Sequence, residues 1–393
     1  MRRGLTLSLV LVLAACGEPA PELPSGVSCA EVHLGGQDSA TLAQVLAGAQ
    51  PGDCVLVGDG TFTGSLTVPK GVKLVAEAGA APVFEGDSPD APAIRVLGGA
   101  GSMVYGVLVA SAVGVGVQVE GDGVELREVT IKGSHRGLIL YCAGTGCLGQ
   151  VLLHNLDLIK NDIGMWASHL TIKMEGGQVH QSGVLGSLTS GLGVTLVNGA
   201  RLEMVGTHVT ENQYGLVMDG ANTSAKLTDV QVMSNTERGV WLQHLRGTAA
   251  APSVQIDGST LIQGNAHTGV GAVDSTGIVI RGATISGTLA RPAMTSLGTT
   301  ADVGDGIGLF SNTADVTVED ARLEGNERCQ VLVDQGGENI QIVRGTIKAA
   351  AGQAMVVVQN TTASVGVNPA AKSTGAAEMP VSAPDVTLPT LGQ

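Results

Sequence analysis

The chain has 393 residues, a length that would suit two or three ordinary domains, yet its composition is not that of ordinary domains. Gly supplies 58 residues, roughly twice the usual share, and charged residues only 14%; with 44% hydrophobic but 2% aromatic residues, any core is built from Val, Leu, Ile and Ala. The net charge of -14 excludes a nucleic-acid partner, which needs clustered Lys and Arg, and excludes adhesion to an anionic bilayer through a basic patch.

Arg2 and Arg3 precede an apolar run over residues 5–15 that ends in Leu13-Ala14-Ala15-Cys16 and gives way to Gly17-Glu18-Pro19. The pattern predicts a signal peptide over residues 1–15. Leu13-Ala14-Ala15-Cys16 resembles the lipobox of bacterial lipoproteins. That resemblance implies acylation of Cys16 and, with Gly17 rather than Asp behind it, export to an outer-membrane anchor on the periplasmic or surface face, with residues 16–37 as a linker. No later apolar run approaches the ~18 residues of a spanning helix, so membrane contact is expected through the lipid on Cys16. Export agrees with the cysteines: Cys29 with Cys54 and Cys142 with Cys147 are expected as disulfides, leaving Cys329 over. Four zinc ligands are the alternative, but neither pair has CxxC spacing and no His residues cluster nearby, so no metal site is expected.

In residues 38–49, Leu42, Val45, Leu46 and Ala49 follow a helical period behind an Asp or Ser N-cap, and Pro51-Gly52-Asp53 stops the helix. Cys54-Val55-Leu56-Val57 begins the first strand. From residue 60 onward short Val/Ile/Leu segments alternate with Gly, Asn and Asp turns, in a phrase that recurs about every 27 residues. Its Gly is read at Gly137, Gly164, Gly183, Gly215, Gly239, Gly269, Gly306 and Gly352, past a variant copy holding Cys329. Asn161, Asn212, Asn235, Asn265 and Asn326 lie three or four positions before the Gly or Cys329, and are expected to stack as a hydrogen-bonded ladder. One copy cannot bury its own apolar faces, whereas stacked copies pair each strand with its equivalents above and below. The predicted fold is therefore all-β: a right-handed parallel β-helix of about ten or eleven coils over residues 38–358, capped by the N-terminal helix, with an Ala/Thr/Pro-rich tail over 359–393.

The capping helix, the stretch Gly58-Asp59-Gly60-Thr61-Phe62, and the strands Leu66-Thr67-Val68 and Val72-Lys73-Leu74-Val75 resemble the N-terminal cap and first coils of the pectin-lyase-like β-helix superfamily. The resemblance covers roughly residues 38–358. It implies the fold but no single activity, since the superfamily holds polysaccharide lyases, hydrolases, epimerases, tailspikes and adhesins. The adjacent Asp pair, Gly-His-Gly turn and Arg-x-Lys strand of its hydrolases are missing here. The weak catalytic candidates are Asp302 and Asp305, with Arg281 and Asp274 nearby if coils bring them together. Asp302 and Asp305 also form a thin Ca²⁺ site by resemblance to the lyases.

Alternation places Leu138 and Leu140, Met165 and Ala167, Leu216 and Met218, and Val240 and Leu242 inward, and Ile139, Trp166, Val217 and Trp241 outward. Both tryptophans then fall in one exterior apolar stripe, which Tyr141 extends, three coils and about 14 Å apart. The stripe is read as a ligand-binding face unless a loop or the C-terminal tail covers it. The expectation is a lipid-anchored envelope protein that binds a polysaccharide or envelope partner without catalysis. The alternative is a polysaccharide lyase or glycoside hydrolase.

Overall fold

The computed structural model describes residues 23–110, 113–144, 147–183, 191–294, 300–350, 353–361, 365–367 and 388. Residues 1–15, expected as a signal peptide, together with Cys16, Gly352 and most of residues 359–393, lie outside the described residues. Short β-branched and aliphatic runs, each too small to bury its own apolar face, form three long parallel sheets. One coil shows the plan: Gln150–His154 belongs to sheet 1, Asp157–Ile159 to sheet 2 and Ile163–Ser168 to sheet 3, and Thr171–Glu175 then returns to sheet 1. Sheet 1 has 14 strands, from Val32–Leu34 to Val365–Val367; sheet 2 has 12, from Thr61–Thr63 to Thr346–Lys348. Sheet 3 runs from Leu66–Val68 to Ala354–Gln359 and carries one antiparallel addition, Arg291–Met294 against Thr300–Phe310.

Sheet 2 therefore marks 12 coils, more than the ten or eleven counted in the sequence. The count fell short because the Gly and Asn phrase is absent from the first coils, those of Cys54–Val57, Lys73–Ala76 and Ser102–Tyr105, so they could not be counted by it. Successive coils at ~4.8 Å make a rod of about 55 Å. Apart from the stacked Phe62 and Phe84 of sheet 2, the interior columns are aliphatic: Leu126, Leu153, Met174 and Met204 stack from sheet 1. Leu138, Met165, Val194, Leu216 and Val240 stack from sheet 3, all buried. Full burial of one such side chain stabilises by ~1.5–3 kcal/mol.

The coil bends sharply on either side of sheet 2, with a left-handed residue at each bend, as at Asn155 (φ 52°) and Lys160 (φ 54°). At the second bend the expected Asn ladder forms. Asn212 donates its backbone N–H and its Nδ2 to Asn235 Oδ1, at 3.0 and 3.2 Å, and Asn235 repeats both bonds toward Asn265, at 3.1 and 2.8 Å. Each Nδ2 also reaches a carbonyl of the neighbouring coil: Val179, Val209 and Val232. Asn161 and Asn326 accept the backbone N–H of Ser134 and Thr288. Where Ser134, Ser182 and Thr288 replace Asn, their hydroxyls have no hydrogen-bond partner among the described residues.

The repeated Gly is explained by closeness rather than by conformational freedom. A Cβ on Gly215 would stand 2.5 Å from the Gly239 carbonyl oxygen and 2.9 Å from Asn235 Nδ2 in the next coil. The column runs through Gly137, Gly164, Gly193, Gly215, Gly239, Gly269 and Gly306, and Gln330 follows. Gly193 thus takes the place assigned to Gly183, because more residues separate Gln178–His180 from the next strand, Leu192–Val197, than in the coils on either side.

The ends follow the sequence reading. Helix Ser39–Gly48 starts at Asp38, whose side chain accepts the Thr41 N–H at 2.9 Å, and it buries Leu42 and Leu46 over the first coil. Cys29–Cys54 and Cys142–Cys147 are disulfides, and Cys329 is free and buried. Replacing Asn235 with Ala strands the Asn212 N–H in a buried bend and removes one of the two hydrogen bonds that Asn265 Oδ1 accepts, and should lower unfolding stability by about 2 kcal/mol. The exposed Asn222→Ala, at a position without positive φ, should cost under ~0.5 kcal/mol in the same urea titration, and equal losses would contradict the ladder's role.

Candidate functional site

Sheet 1 turns apolar residues inward and a row of charges outward. Glu125 and Arg127 lie on one strand, His154 on the next, and Lys173 and Glu175 on the third, in register. Arg127 Nε donates to Glu125 Oε1 at 2.9 Å, Lys173 Nζ lies 2.6 Å from Glu175 Oε1, and His154 sits between the carboxylates with Nδ1 3.1 Å from Glu175. The hydrogen bond from Lys173 holds the Glu175 carboxyl below its usual range, and Glu175 in turn raises the Lys173 ammonium. Three depressions run along this face. The first, about 470 Å³, is lined by Lys73, Ser102, Glu125 and Gln150 among others; the second, about 200 Å³, by Gln150, Thr171, Arg201, Glu203, Lys226 and Gln255. A third, about 770 Å³, lies at the turn into sheet 1 beside His169, Asn198 and Asn222. Gln150 borders the first two, and Thr171 with Arg201 the last two, so they form one trough. Leu148, 94% exposed, stands at its rim beside the Cys142–Cys147 disulfide.

The sequence reading missed this face. Its signal is a period-2 alternation of charge with aliphatic residues in Val124–Arg127, Thr171–Glu175, Arg201–Val205 and Ser224–Thr228.

On sheet 3 the outward column has the expected register: Ile139, Trp166, Thr195, Val217 and Trp241 are successive partners. Its exposure is the correction. Ile139, Trp166, Val217 and Trp241 are buried, at 1%, 4%, 0% and 0% exposure, and form a second apolar cluster with Phe310 and Leu332 against which Tyr141 and Leu388 of the tail pack. Ring packing explains part of this. The Trp241 indole lies flat on Gly271 of the next coil, where a Cβ would meet it at 2.1 Å; the Arg238 guanidinium stacks 3.7 Å above it and Nε1 donates to Gln243.

The four catalytic candidates are not brought together. Asp305 is fully buried on sheet 3, held by Arg328, whose Nε donates to Oδ1 at 2.7 Å, and by the Cys329 thiol at 3.1 Å. Burial, with Asp305 beside it, pushes the Cys329 thiol well up. Asp302 is exposed on the antiparallel hairpin opposite Pro292. Arg281 pairs with Glu319 and Asp274 with Arg246, at opposite ends of the sheet 1 strand Thr276–Arg281. The expected Ca²⁺ pair is thereby split. Among the described residues, the one group of three or more potential metal ligands with atoms within 4.8 Å of one another is Glu31, His33 and Asp53. There Asp53 Oδ2 already accepts the Gln50 N–H at 2.8 Å and faces His33 Nε2 at 3.1 Å, which accounts for the group as a clip at the first turn.

The family model described as right handed beta helix region matches residues 115–285 and, overlapping, 214–368. No match is found among curated proteins. Among solved structures the chain is similar to the Dettilon tailspike protein at TM-score 0.55 and 11% identity, over 81% of this chain and 64% of that one, so it spans under two thirds of the tailspike. It is also similar to the Streptococcus pneumoniae surface protein and adhesin PfbA, at 0.52 and 11%, over 82% and 96%. A third likeness is to the Azotobacter vinelandii mannuronan C-5 epimerase AlgE4 A-module, at 0.50 and 13%, over 84% and 96%. At these identities the likeness is one of fold.

If Asp305 is a structural charge, removing its partner matters to folding. Arg328→Ala should lower stability by about 3–5 kcal/mol. Breaking the exposed Arg281–Glu319 pair with Arg281→Ala should cost no more than ~1 kcal/mol. Denaturant unfolding of the two variants checks this, and a small loss for Arg328→Ala would contradict it.

Proposed function

The chain belongs to the right-handed β-helix family, and on that footing we propose that it is an exported, lipid-anchored contact protein that holds a polysaccharide in the trough of sheet 1. The observation that carries this reading is the continuity of the trough through Gln150, Thr171 and Arg201. From Lys73 to Gln255 it follows seven coil steps, about 34 Å, enough for several sugar units. Lys, Arg, Gln, Thr and Ser side chains offer donors for sugar hydroxyls, and Leu148 offers an apolar patch at the rim. Binding moves from the tryptophan face to this one because sheet 1 is open. Two neighbours lend support by their own descriptions, one an epimerase of mannuronan and one a surface adhesin.

Contact without catalysis is preferred because the Lys173 ammonium holds the Glu175 carboxyl below its usual range, which leaves it a poor proton donor, while Glu125 is tied to Arg127. The lipid anchor at Cys16 and the outer-membrane address rest on the sequence of residues 1–17; among the described residues no helix is long and apolar enough to cross a membrane.

Two experiments test the proposal. On a glycan array, Arg201→Ala with Lys226→Ala should weaken retention about tenfold per charged hydrogen bond lost, and product analysis of the hits should find no new reducing ends or unsaturated sugars. Unchanged retention would remove the site, and chain cleavage would favour the lyase or hydrolase. In membrane fractionation, Cys16→Ser should move the protein to the soluble fraction, and retention in the membrane would contradict the anchor.

A further inference from the structure

Strand Val32–Leu34 ends sheet 1, and among the described residues nothing pairs with its other edge. Glu31 O accepts the Cys54 N–H at 2.9 Å and the Gly35 N–H donates to Leu56 O at 2.7 Å, which places residues 31, 33 and 35 on the paired side. The N–H and C=O groups of Val32 and Leu34 therefore point along the rod axis, away from the molecule. The same two residues carry exposed apolar side chains, at 42% and 61% exposure. An open apolar edge is normally guarded by a charged side chain or a Pro. Here His33, the one titratable residue of the strand, is turned to Asp53, with Nε2 3.1 Å from Oδ2.

This end of the rod is also where charge is missing. Residues 32–50, the strand and the capping helix that follows it, hold one acid, Asp38, and no Lys or Arg. Both Asp38 carboxylate oxygens are taken by Thr41, through its N–H at 2.9 Å and its hydroxyl at 2.8 Å. The solvent side of the helix is Ala40, Ala43, Gln44 and Ala47, where a surface helix ordinarily carries charge. For a chain of net charge -14, a second copy is repelled least here.

The edge also fits itself. In antiparallel pairing about a two-fold axis at His33, Val32 stands opposite Leu34 of the second copy, and each such pair exchanges both of its N–H···O bonds, so every free edge group of both copies is used. The apolar side chains then meet on one face of the joined sheet. Glu31 lies opposite Gly35 of the second copy, so no two acids face each other across the ladder.

We propose that the Val32–Leu34 edge of sheet 1 joins two copies of this chain end to end, as a two-fold dimer with one sheet continuous across the interface. The two-fold keeps the outer faces of both sheets on the same side, so a glycan held in one trough runs toward the other; that consequence, unlike the dimer itself, rests on the trough being a polysaccharide surface.

Sedimentation equilibrium of the full chain, in mild detergent and over a micromolar concentration series, should give a mass that rises to that of two chains. Leu34→Lys and Val32→Lys each set an ammonium against the apolar side chain opposite, and each should weaken association about tenfold or more with circular dichroism unchanged. Leu148→Lys, at an equally apolar and more exposed position beside the strand Gln150–His154, should leave the association as it is. A parent chain of single mass at every concentration, a dimer that survives both edge substitutions, or an equal loss with Leu148→Lys overturns the proposal. Arg201→Ala with Lys226→Ala should leave the mass unchanged, so loss of the trough and loss of the interface are told apart.

Discussion

The rod depends on how closely one coil lies on the next at the bend between sheets 2 and 3. There a Gly carries no Cβ because the neighbouring Gly carbonyl and an Asn carboxamide fill the space a Cβ would need, and that carboxamide ties the coils together through backbone N–H groups and other Asn side chains. Once this corner is fixed, register is fixed along each strand that leaves it, because a one-residue slip would turn every side chain to the opposite face. The aliphatic columns of the interior are a consequence of that register as much as a cause of it.

The same register sorts the exterior. On sheet 1 it lines up Glu125, His154, Lys173 and Glu175 as an open, paired row of charge beside a trough. On sheet 3 it lines up Ile139, Trp166, Val217 and Trp241, which the protein does not leave exposed. Large exposed apolar patches are rare on monomeric proteins, and here Phe310, Leu332, Tyr141 and Leu388 pack with the stripe. Asp305 follows similar logic: a fully buried acidic residue survives because Arg328 and Cys329 complete its hydrogen bonds.

What could be read in the sequence was whatever repeats. The helix behind Asp38, the inward residues of sheet 3, the Asn ladder and both disulfides follow from periods, caps and spacings carried by the chain itself. Interruptions of the repeat were not legible. The longer stretch of chain between Gln178–His180 and Leu192–Val197 moved the Gly position from Gly183 to Gly193, and along the strand Thr300–Phe310 Asp302 falls in the antiparallel hairpin while Asp305 falls in sheet 3. Burial of the tryptophans was illegible for another reason: inward and outward alternation says which way a side chain points, not what distant segment lies over it. The Arg328–Asp305 pair joins residues 23 apart in chain order, with nothing in their local spacing to announce it.

The claim beneath all of this is that equivalent residues of successive coils lie one above another along a straight column. Spin labels on Lys73 and Gln341, ten steps apart in the outward column of sheet 1, measure it directly by pulsed electron resonance. Ten steps of ~4.8 Å predict a single narrow distance of about 48 Å. A much shorter distance, or a broad distribution, would contradict the stacked rod.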